Sequence, residues 1–457
     1  MFMVSAAIVL IVFFGFGLFS SKNVSSSSDY VVASRKAGAR GVAGVILGAL
    51  VGGGATVGTV QMSYQWGLSG IWFTLGSGIA CLVMGLWFVR PLRSVELITL
   101  PQFLGRHYGK KTAMLAAVST ASGTFLSIVA QFLSGVALMR SVFPFSAEIA
   151  AVLVGGLIIA FVFGGGIKSF SRLGESKIVF LYFVLILCSF VVFLQDETPF
   201  KLIRSMPRHP YFNPFARGLG KDLGSLFSLI CGVLCGQIYI QAVYTAIDNG
   251  SAKRGCLWAS FLIPPMGLLG VWIGLAMRNS GVAVEASQAL PFFIRTNFHP
   301  LVGGVLWSGI MITVLGTAVG LSLGVATNIT RDIYLPMRKC SEPLNDREVL
   351  LRSRLIVVFV VLFALVISCI SKGSMILQWS YLGMGLKAAG IFAILLASVL
   401  KPGRLSPWWS FFSVLGGLMG TVCGALFIQG IDPLFPGLFL AGSVAIAGMV
   451  KGAKRAF

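Results

Sequence analysis

Long, uniformly apolar stretches separated by short polar segments follow one another along the whole chain. A bilayer-crossing helix needs about 20 mainly apolar residues, whereas barrel strands of about ten residues would alternate apolar with polar positions. The pattern therefore predicts an all-α membrane protein with about 13 transmembrane helices. The predicted spans are residues 1–20, 42–64, 66–89, 113–139, 146–165, 177–195, 223–245, 256–277, 300–329, 354–371, 375–399, 407–430 and 433–450.

Two glycine clusters lie in the middle of predicted spans. GGGATVG (52–58) interrupts the second span, and GVLCGQ (232–237) interrupts the seventh. Such clusters either allow close helix packing or break a helix, so that freed backbone groups bind ions or substrate. Because the two spans are five apart, an odd number, a repeat of spans 2–6 in spans 7–11 must be inverted in the membrane. Interrupted spans at matching places in inverted halves favour the broken-helix interpretation.

The composition supports a membrane protein and excludes other classes. Of the 457 residues, 56% are hydrophobic and only 11% are charged, whereas soluble domains carry roughly 25% charged residues. A net charge of +21 would suit nucleic-acid binding, but the Lys and Arg lie in short gaps between apolar spans, so we expect no nucleic-acid partner. The eight Cys and three His show no metal-binding spacing, and no catalytic group stands out.

The positive charges predict the orientation in the membrane. Segments rich in Lys and Arg belong in the cytoplasm, which predicts an outside N-terminus and a cytoplasmic C-terminus in the plasma membrane. These segments are residues 20–41, 90–112, 166–177, 246–255, 330–354, 401–406 and the C-terminal tail. We expect one polytopic domain over 1–457. Its parts are a peripheral first helix and loop (1–41), a first repeat (42–195), an inverted second repeat (223–399) and peripheral C-terminal helices (407–457).

Five segments, taken in order, resemble the sodium/solute symporter family, which includes the proline, pantothenate and sodium/glucose carriers. They are SDYVVASRKAG (28–38), TLPQFLGRHYGKK (99–111), AIDNGSAKRG (246–255), ALPFFIRTNFHP (289–300) and ATNITRDIYLP (326–336). The resemblance covers nearly the whole chain. It implies a LeuT-like fold of two inverted five-helix repeats with extra peripheral helices. It also implies sodium-driven solute uptake by alternating access.

The resemblance implies a sodium site between the broken second span and the ninth span. The implied ligands are Val51 and Gly54 of the second span and Thr313, Gly316 and Thr317 of the ninth. The residue pattern agrees in part, because Thr313 and Thr317 lie on one glycine-lined helical face. Their hydroxyls could instead bond carbonyls of their own helix. Gly316 has no side-chain oxygen where the family usually has Ser. We therefore expect at most one Na⁺, bound more weakly than usual.

Polar side chains within the spans predict the path of the substrate, because a polar group that faces lipid is costly. Hydrogen bonds between helices, worth about 0.6 kcal/mol each, are the alternative explanation. The predicted substrate-contacting residues are Gly53, Ala55, Thr56, Gly58, Gln61, Ser127, Gln131, Gln237, Gln241 and Lys387.

Lys387 differs from the other candidates because it is ionisable and lies in the middle of the eleventh span. A charge at mid-bilayer costs about 2.5–3.5 kcal/mol on insertion scales. From the sequence, Lys387 is the only ionisable residue well inside a span. Three roles are open: pairing with a substrate carboxylate, titrating in partial replacement of a cation, or bonding unwound carbonyls. The first role would favour a carboxylate-bearing solute.

These expectations favour a sodium-coupled secondary active symporter of a small organic solute rather than an enzyme. Its partners are the solute and the lipid bilayer, and no obligate protein partner is evident. A proton-coupled carrier of the same fold is one alternative, indicated by Gly316 and Lys387. A non-transporting membrane sensor is another, although the cytoplasmic segments are short for an output domain.

Overall fold

The computed structural model of the chain describes residues 1–20, 36–94, 97, 99–164, 167–338 and 346–453. Most of segment 28–38, which carries part of the family resemblance, therefore lies outside the described residues. Throughout the described part, every element longer than an isolated bridge is a helix. The helices are α1 (Phe2–Ser20), α2 (Ala39–Leu50), α3 (Thr59–Trp66), α4 (Trp72–Val83), α5 (Val89–Arg93), α6 (Leu100–Tyr108), α7 (Lys110–Val142), α8 (Ala147–Gly164), α9 (Ile167–Leu194), α10 (Pro199–Ser205), α11 (Arg208–Tyr211), α12 (Leu219–Leu234), α13 (Gln237–Thr245), α14 (Asn249–Asn279), α15 (Ala289–Asn297), α16 (Pro300–Thr327), α17 (Asp346–Ile370), α18 (Ile376–Leu400), α19 (Pro407–Phe427) and α20 (Leu434–Ala453).

Membrane-spanning length is reached by nine helical stretches of the described residues, or ten if the bent pair α12 and α13 forms one span. Three shorter apolar helices, Phe2–Phe13, Ala39–Leu50 and Ala147–Val162, fall where the first, second and fifth spans are predicted. The all-α membrane architecture is therefore confirmed. The count of 13 spans stays a prediction.

Both glycine clusters interrupt their helices. Helix α2 ends at Leu50, and Val51 departs from helical geometry with φ −90° and ψ 89°. The chain then resumes as a π-helical turn over Gly54–Gly58, followed by α3. In the second half, α12 ends at Leu234 and α13 begins after Gly236, with a bend of 43° between them. Backbone groups next to each break lack the partners that a continuous helix would supply.

Helices of both halves surround the first break. Helix α2 packs against α9, α14 and α16, while α7 runs between α16 and α18. The backbones of α7 and α18 touch where Gly123 faces Gly383: a Cβ on Gly123 would lie 2.3 Å from the Gly383 carbonyl oxygen. Small residues permit such close approach between membrane helices. Helix α1 packs on α16, and α19 and α20 pack on each other and on α18, so these three helices lie at the periphery.

Candidate cation and substrate sites at the first helix break

The hydroxyl of Thr317 on α16 lies against the end of α2. Its Oγ1 atom is 2.9 Å from the carbonyl oxygen of Gly48 and 3.2 Å from that of Val51, either of which can accept its proton. A Cβ on Gly52 would lie only 2.5 Å from the same Oγ1 atom, so glycine is required for this approach. The last carbonyls of a helix have no partner within it. The oxygens of Gly48, Val51 and Thr317 thus form a cluster suited to a cation.

A lysine from α9 reaches this oxygen cluster. The Nζ atom of Lys177 donates to the Gly48 carbonyl at 2.7 Å and to Thr317 Oγ1 at 2.6 Å, and the residue is only 4% exposed. The Lys177 ammonium therefore lies in the protein interior, while the cytoplasmic location of segment 166–177 stays a prediction. The expectation that Lys387 is the only ionisable group well inside the bundle is wrong, because Lys177 is buried there too. The sequence pattern places Lys177 at the edge of a span, but its long stem carries the ammonium inward.

The predicted sodium ligands separate into two groups. Thr313 Oγ1 donates to Gly309 of its own helix at 2.7 Å, and the Gly54 carbonyl accepts from Thr59 Oγ1 at 3.1 Å. Neither is directed at the oxygen cluster.

Val51 and Thr317 belong to the cluster, and the open side of Gly316 faces Lys177. The carbonyl of Gly48, one turn before the glycine cluster, was not predicted. The C-terminal turn of a broken helix is the signal that could have identified it.

Helix α7 holds the broken segment in place. The backbone N–H of Gly53 donates to Gln131 Oε1 at 2.8 Å. A Cβ on Gly53 would lie 2.2 Å from Ser134 Oγ, one turn further along α7. The Thr56 hydroxyl bonds back to the Gly52 carbonyl at 2.9 Å. Gln131 therefore satisfies an N–H group that the break leaves free, and the predicted residues Gly53, Thr56 and Gln131 meet at one place.

The start of α18 closes over the far side of the first break. Gln61 Oε1 accepts from the backbone N–H of Ile376 at 3.0 Å, and a Cβ on Gly58 would lie 3.0 Å from the Ile376 side chain. Ala55, between these two contacts and the break, is buried. In this conformation Gln61 and Gly58 thus position α18.

The remaining predicted polar residues lie on α7 and α13 and differ in their contacts. Gln237 Oε1 accepts from the backbone N–H of Leu100 at the start of α6, at 3.0 Å. Ser127 Oγ bonds the Gly123 carbonyl of its own helix at 3.3 Å. Gln241 is buried on α13. Gln237 therefore ties the second break to α6, which sequence reasoning did not anticipate.

Lys387 is fully buried, and its Nζ atom has no hydrogen-bond partner among the described residues. The ammonium lies 5.7 Å from the centre of the Tyr239 ring on α13. A cation over an aromatic face gains about 2 kcal/mol when desolvated, far less than a buried charge needs. The hypothesis that Lys387 bonds unwound carbonyls finds no support among the described contacts.

Tyr381 is a candidate that the sequence pattern missed. It lies on α18 beside Ser380, whose Oγ would be 3.4 Å from a Cβ on Gly54. The Tyr381 hydroxyl is buried without a described hydrogen-bond partner, and the Arg217 guanidinium lies 5.6 Å from its ring centre. Because aromatic residues near span ends usually mark the membrane interface, the pattern alone gave no reason to select it.

The end predicted to be cytoplasmic is closed by contacts between the two halves. Thr99 Oγ1 donates to Asp332 Oδ1 at 2.7 Å, which joins segments 99–111 and 326–336. The N–H of Ala37, before α2, donates to the Thr245 carbonyl at 3.0 Å. Two of the segments that carry the family resemblance therefore meet at this closure.

The opposite end is closed by a buried ion pair and its neighbours. Arg217 and Asp222 form a pair at 2.6 Å with both side chains largely buried, and Trp72 Nε1 donates to the Pro214 carbonyl at 2.6 Å. The Tyr64 hydroxyl donates to the Val282 carbonyl at 2.9 Å. Since contacts join the helices at both ends, the broken segments are enclosed in the interior of the bundle.

The family comparison decides the class of this protein. The profile of the Sodium:solute symporter family matches residues 30–424. The chain belongs to this family. It is 25% identical over 432 residues to the high-affinity proline transporter PutP of Bacillus subtilis, covering 90% of this chain and 87% of that protein. It is 24% identical over 480 residues to the osmoregulated proline transporter OpuE of the same organism, covering 98% and 93%.

Solved structures agree on the fold. A Na⁺-coupled sialic acid symporter in a substrate-bound outward-open state matches with a TM-score of 0.84 at 13% identity, covering 99% of this chain and 97% of that one. Mhp1, a nucleobase-cation-symport-1 family transporter in a closed conformation, matches with a TM-score of 0.63 at 12% identity, covering 93% and 95%. The LeuT-like fold is confirmed. This sodium:solute symporter is therefore a multi-pass secondary transporter of a small solute and not an enzyme.

Proposed function

We propose that the solute is a small carboxylate-bearing molecule of amino-acid size, taken up together with one sodium ion. The observation that carries the proposal is Lys387, a buried ammonium with no hydrogen-bond partner among the described residues. Removing an ammonium from water without a partner costs several kcal/mol. A substrate carboxylate would supply the missing counter-charge. The two relatives named as proline transporters support this class of solute, because proline carries a carboxylate.

The position of Lys387 gives it a role along the path rather than at the first break itself. Lys387 follows Ser380 by seven residues on α18, which corresponds to about 10 Å along a helix. Ser380 and Tyr381 adjoin the first break, and Lys387 adjoins α13 after the second. A solute bound at the first break would therefore move toward the Lys387 ammonium as the predicted cytoplasmic end opens.

The sodium ion would use the oxygens at the end of α2. Gly48, Val51 and Thr317 bring two carbonyls and one hydroxyl to one point. Hard cations prefer such oxygen ligands. Gly54 and Thr313 lie outside this ligand set, because each bonds a residue of its own segment. A single ion with a short ligand set agrees with the weak sodium binding expected from Gly316.

The orientation and the division into parts belong to the same proposal. The Lys and Arg distribution supports an outside N-terminus and a cytoplasmic C-terminus. The order of the two breaks supports a first repeat over 42–195 and an inverted repeat over 223–399, with peripheral parts at 1–41 and 407–457.

Uptake by purified protein in liposomes tests the proposal, with radiolabelled proline as the probe. An inward sodium gradient should drive uptake, and a choline gradient should not. Unlabelled proline should compete, whereas prolinamide, which lacks the carboxylate, should not. Uptake driven by a pH gradient without sodium would favour a proton-coupled carrier instead. A protein that takes up no solute from a broad panel would favour a sensor.

Lys387→Gln tests the carboxylate contact itself. We expect the variant to lose proline uptake while remaining folded, because the amide cannot neutralise a carboxylate. Lys201→Gln is the matched control, since Lys201 is an exposed lysine that pairs with Asp196 outside the spans. Proline uptake by Lys387→Gln at the wild-type rate would remove Lys387 from the substrate path.

A further inference from the structure

The ammonium of Lys177 occupies the position at which the proposed sodium ion would bind. Its Nζ atom is within 2.7 Å of the Gly48 carbonyl and 2.6 Å of Thr317 Oγ1. A sodium ion at this site needs the lone pairs of the same two oxygens. Two positive charges bound to the same two oxygens would also repel each other strongly in a low-dielectric interior. The ion and the ammonium therefore cannot share the site.

Gly316 provides the room for this side chain. A Cβ on Gly316 would lie 3.9 Å from Cδ and 4.0 Å from Nζ of Lys177. A serine hydroxyl there would extend beyond the Cβ, toward the place that the ammonium takes. The position where the family resemblance implies a serine oxygen thus lacks that oxygen, and a tethered cation lies beside it. Gly316 therefore removes a sodium ligand at the place where Lys177 adds a cation.

The end of α2 stabilises the ammonium. Gly48 lies in the last turn of this helix, where free carbonyls and the helix dipole favour a cation. Lys177 forms no ion pair with a described acidic side chain. The neighbouring cavity of about 340 Å³ is lined by apolar side chains such as Ile8, Phe180 and Ile312. An ammonium that moved into this cavity would lose its oxygen partners without replacement.

We propose that Lys177 is a tethered competitor of sodium: its ammonium and a sodium ion bind the same oxygens and exclude each other. The proposal rests on the proposed function, in which sodium drives uptake, and adds that a residue of the protein itself limits sodium binding. Sodium binds here only after the Lys177 side chain has withdrawn. Weak sodium binding is therefore a consequence of Lys177 as well as of the missing oxygen at Gly316.

Equilibrium binding of ²²Na⁺ to the purified full-length protein tests the competition without any solute. Lys177→Met removes the ammonium and keeps an unbranched apolar stem of similar length. The sodium concentration at half-saturation should fall by about tenfold or more, since no ammonium then competes with sodium for the oxygens. Lys177→Gln, which keeps hydrogen-bond donors without the charge, should also bind sodium more tightly. Tyr182→Phe is the matched control on α9, because its hydroxyl bonds Leu262, and it should bind sodium as wild type does.

A second substitution locates the ion. Adding Thr317→Ala to Lys177→Met should raise the half-saturating sodium concentration again, because the hydroxyl is then a sodium ligand. The proposal is overturned if Lys177→Met and Lys177→Gln both unfold at the wild-type temperature and bind sodium no more tightly than wild type. It is also overturned if Thr317→Ala has no effect in the Lys177→Met background. A protein that fails to transport proline would still give either result, so the two proposals fail separately.

Discussion

The Oγ1 atom of Thr317 lies 3.2 Å from the carbonyl oxygen of Val51, the residue at which the second-span helix leaves helical geometry. This contact joins α16, in the second half of the chain, to the break in the first half. An ion held between the two helices would link their relative motion to ion binding. Alternating access in inverted-repeat transporters depends on movement of this kind.

Thr317→Ala should weaken the response of uptake to sodium. The change removes the one side-chain oxygen of the cluster, and a hydrogen bond or ligand of this kind contributes about 1–1.5 kcal/mol. We therefore expect the half-saturating sodium concentration for proline uptake to rise by roughly tenfold. The shift should be larger in the Lys177→Met background, where Lys177 no longer shares the hydroxyl.

Two further variants make this measurement specific. Thr317→Ser keeps the hydroxyl and should behave as wild type. Thr313→Ala removes a hydroxyl of the same helix that bonds Gly309, so the sodium dependence should not change. An unaltered sodium dependence in Thr317→Ala would exclude Thr317 from the site.

Gly53→Ala should abolish most uptake by pushing the broken segment away from α7. A Cβ at this position would lie 2.2 Å from Ser134 Oγ and 2.4 Å from its Cβ. Such overlap in a packed interior costs typically 1–3 kcal/mol. It would also displace the N–H group that Gln131 accepts from. Initial rates of proline uptake and the unfolding temperature measure the two effects.

A second substitution that removes this overlap tests whether the overlap causes the loss of uptake. Adding Ser134→Gly to Gly53→Ala removes both clashing atoms and should restore part of the uptake. Gly156→Ala on α8 is the control, because a Cβ there meets nothing within 4 Å. Wild-type uptake by Gly53→Ala would show that the first break tolerates movement and does not hold the substrate.

The fold could be predicted from the sequence because its signals are local. Apolar runs of the right length predict the helices, and the clusters at 52–58 and 232–237 predict the two breaks. The site was less predictable, because its contacts depend on where distant helices meet. Thr313 and Thr317 look equivalent in sequence, yet one bonds Gly309 of its own helix and the other bonds Gly48 of α2.

The surroundings of the Lys177 side chain could not be predicted from the span boundaries. A lysine at the start of an apolar run is usually an exposed anchor at the membrane surface, so the pattern predicts no buried contact for its charge. Only the packing of α9 against α2 and α16 shows that the side chain points to the oxygen cluster. Gln237 is similar, since its contact with Leu100 depends on the position of α6.

Thr99→Val should loosen the closure at the predicted cytoplasmic end. The Thr99 hydroxyl donates to Asp332 and accepts from the N–H of Gln102 as the N-cap of α6. The N-cap bond lies within α6 and persists in the open state, so only the loss of the Asp332 bond, worth about 1.5 kcal/mol, favours opening. A shift of this size raises the population of open conformations by about tenfold. Cys235, fully buried at the second break, would then become accessible.

The rate at which N-ethylmaleimide modifies Cys235, followed by mass spectrometry, measures this opening. We expect a clear increase in Thr99→Val over wild type. Thr245→Val is the matched control at the same end, because its hydroxyl bonds the Ala242 carbonyl of its own helix, and the rate should stay at the wild-type value. If Cys235 reacts equally slowly in Thr99→Val, the Thr99–Asp332 contact does not hold the end closed. The closure would then depend on the other contacts at this end, such as the backbone pairing of Ala37 with Thr245 and the bond from the Leu100 N–H to Gln237.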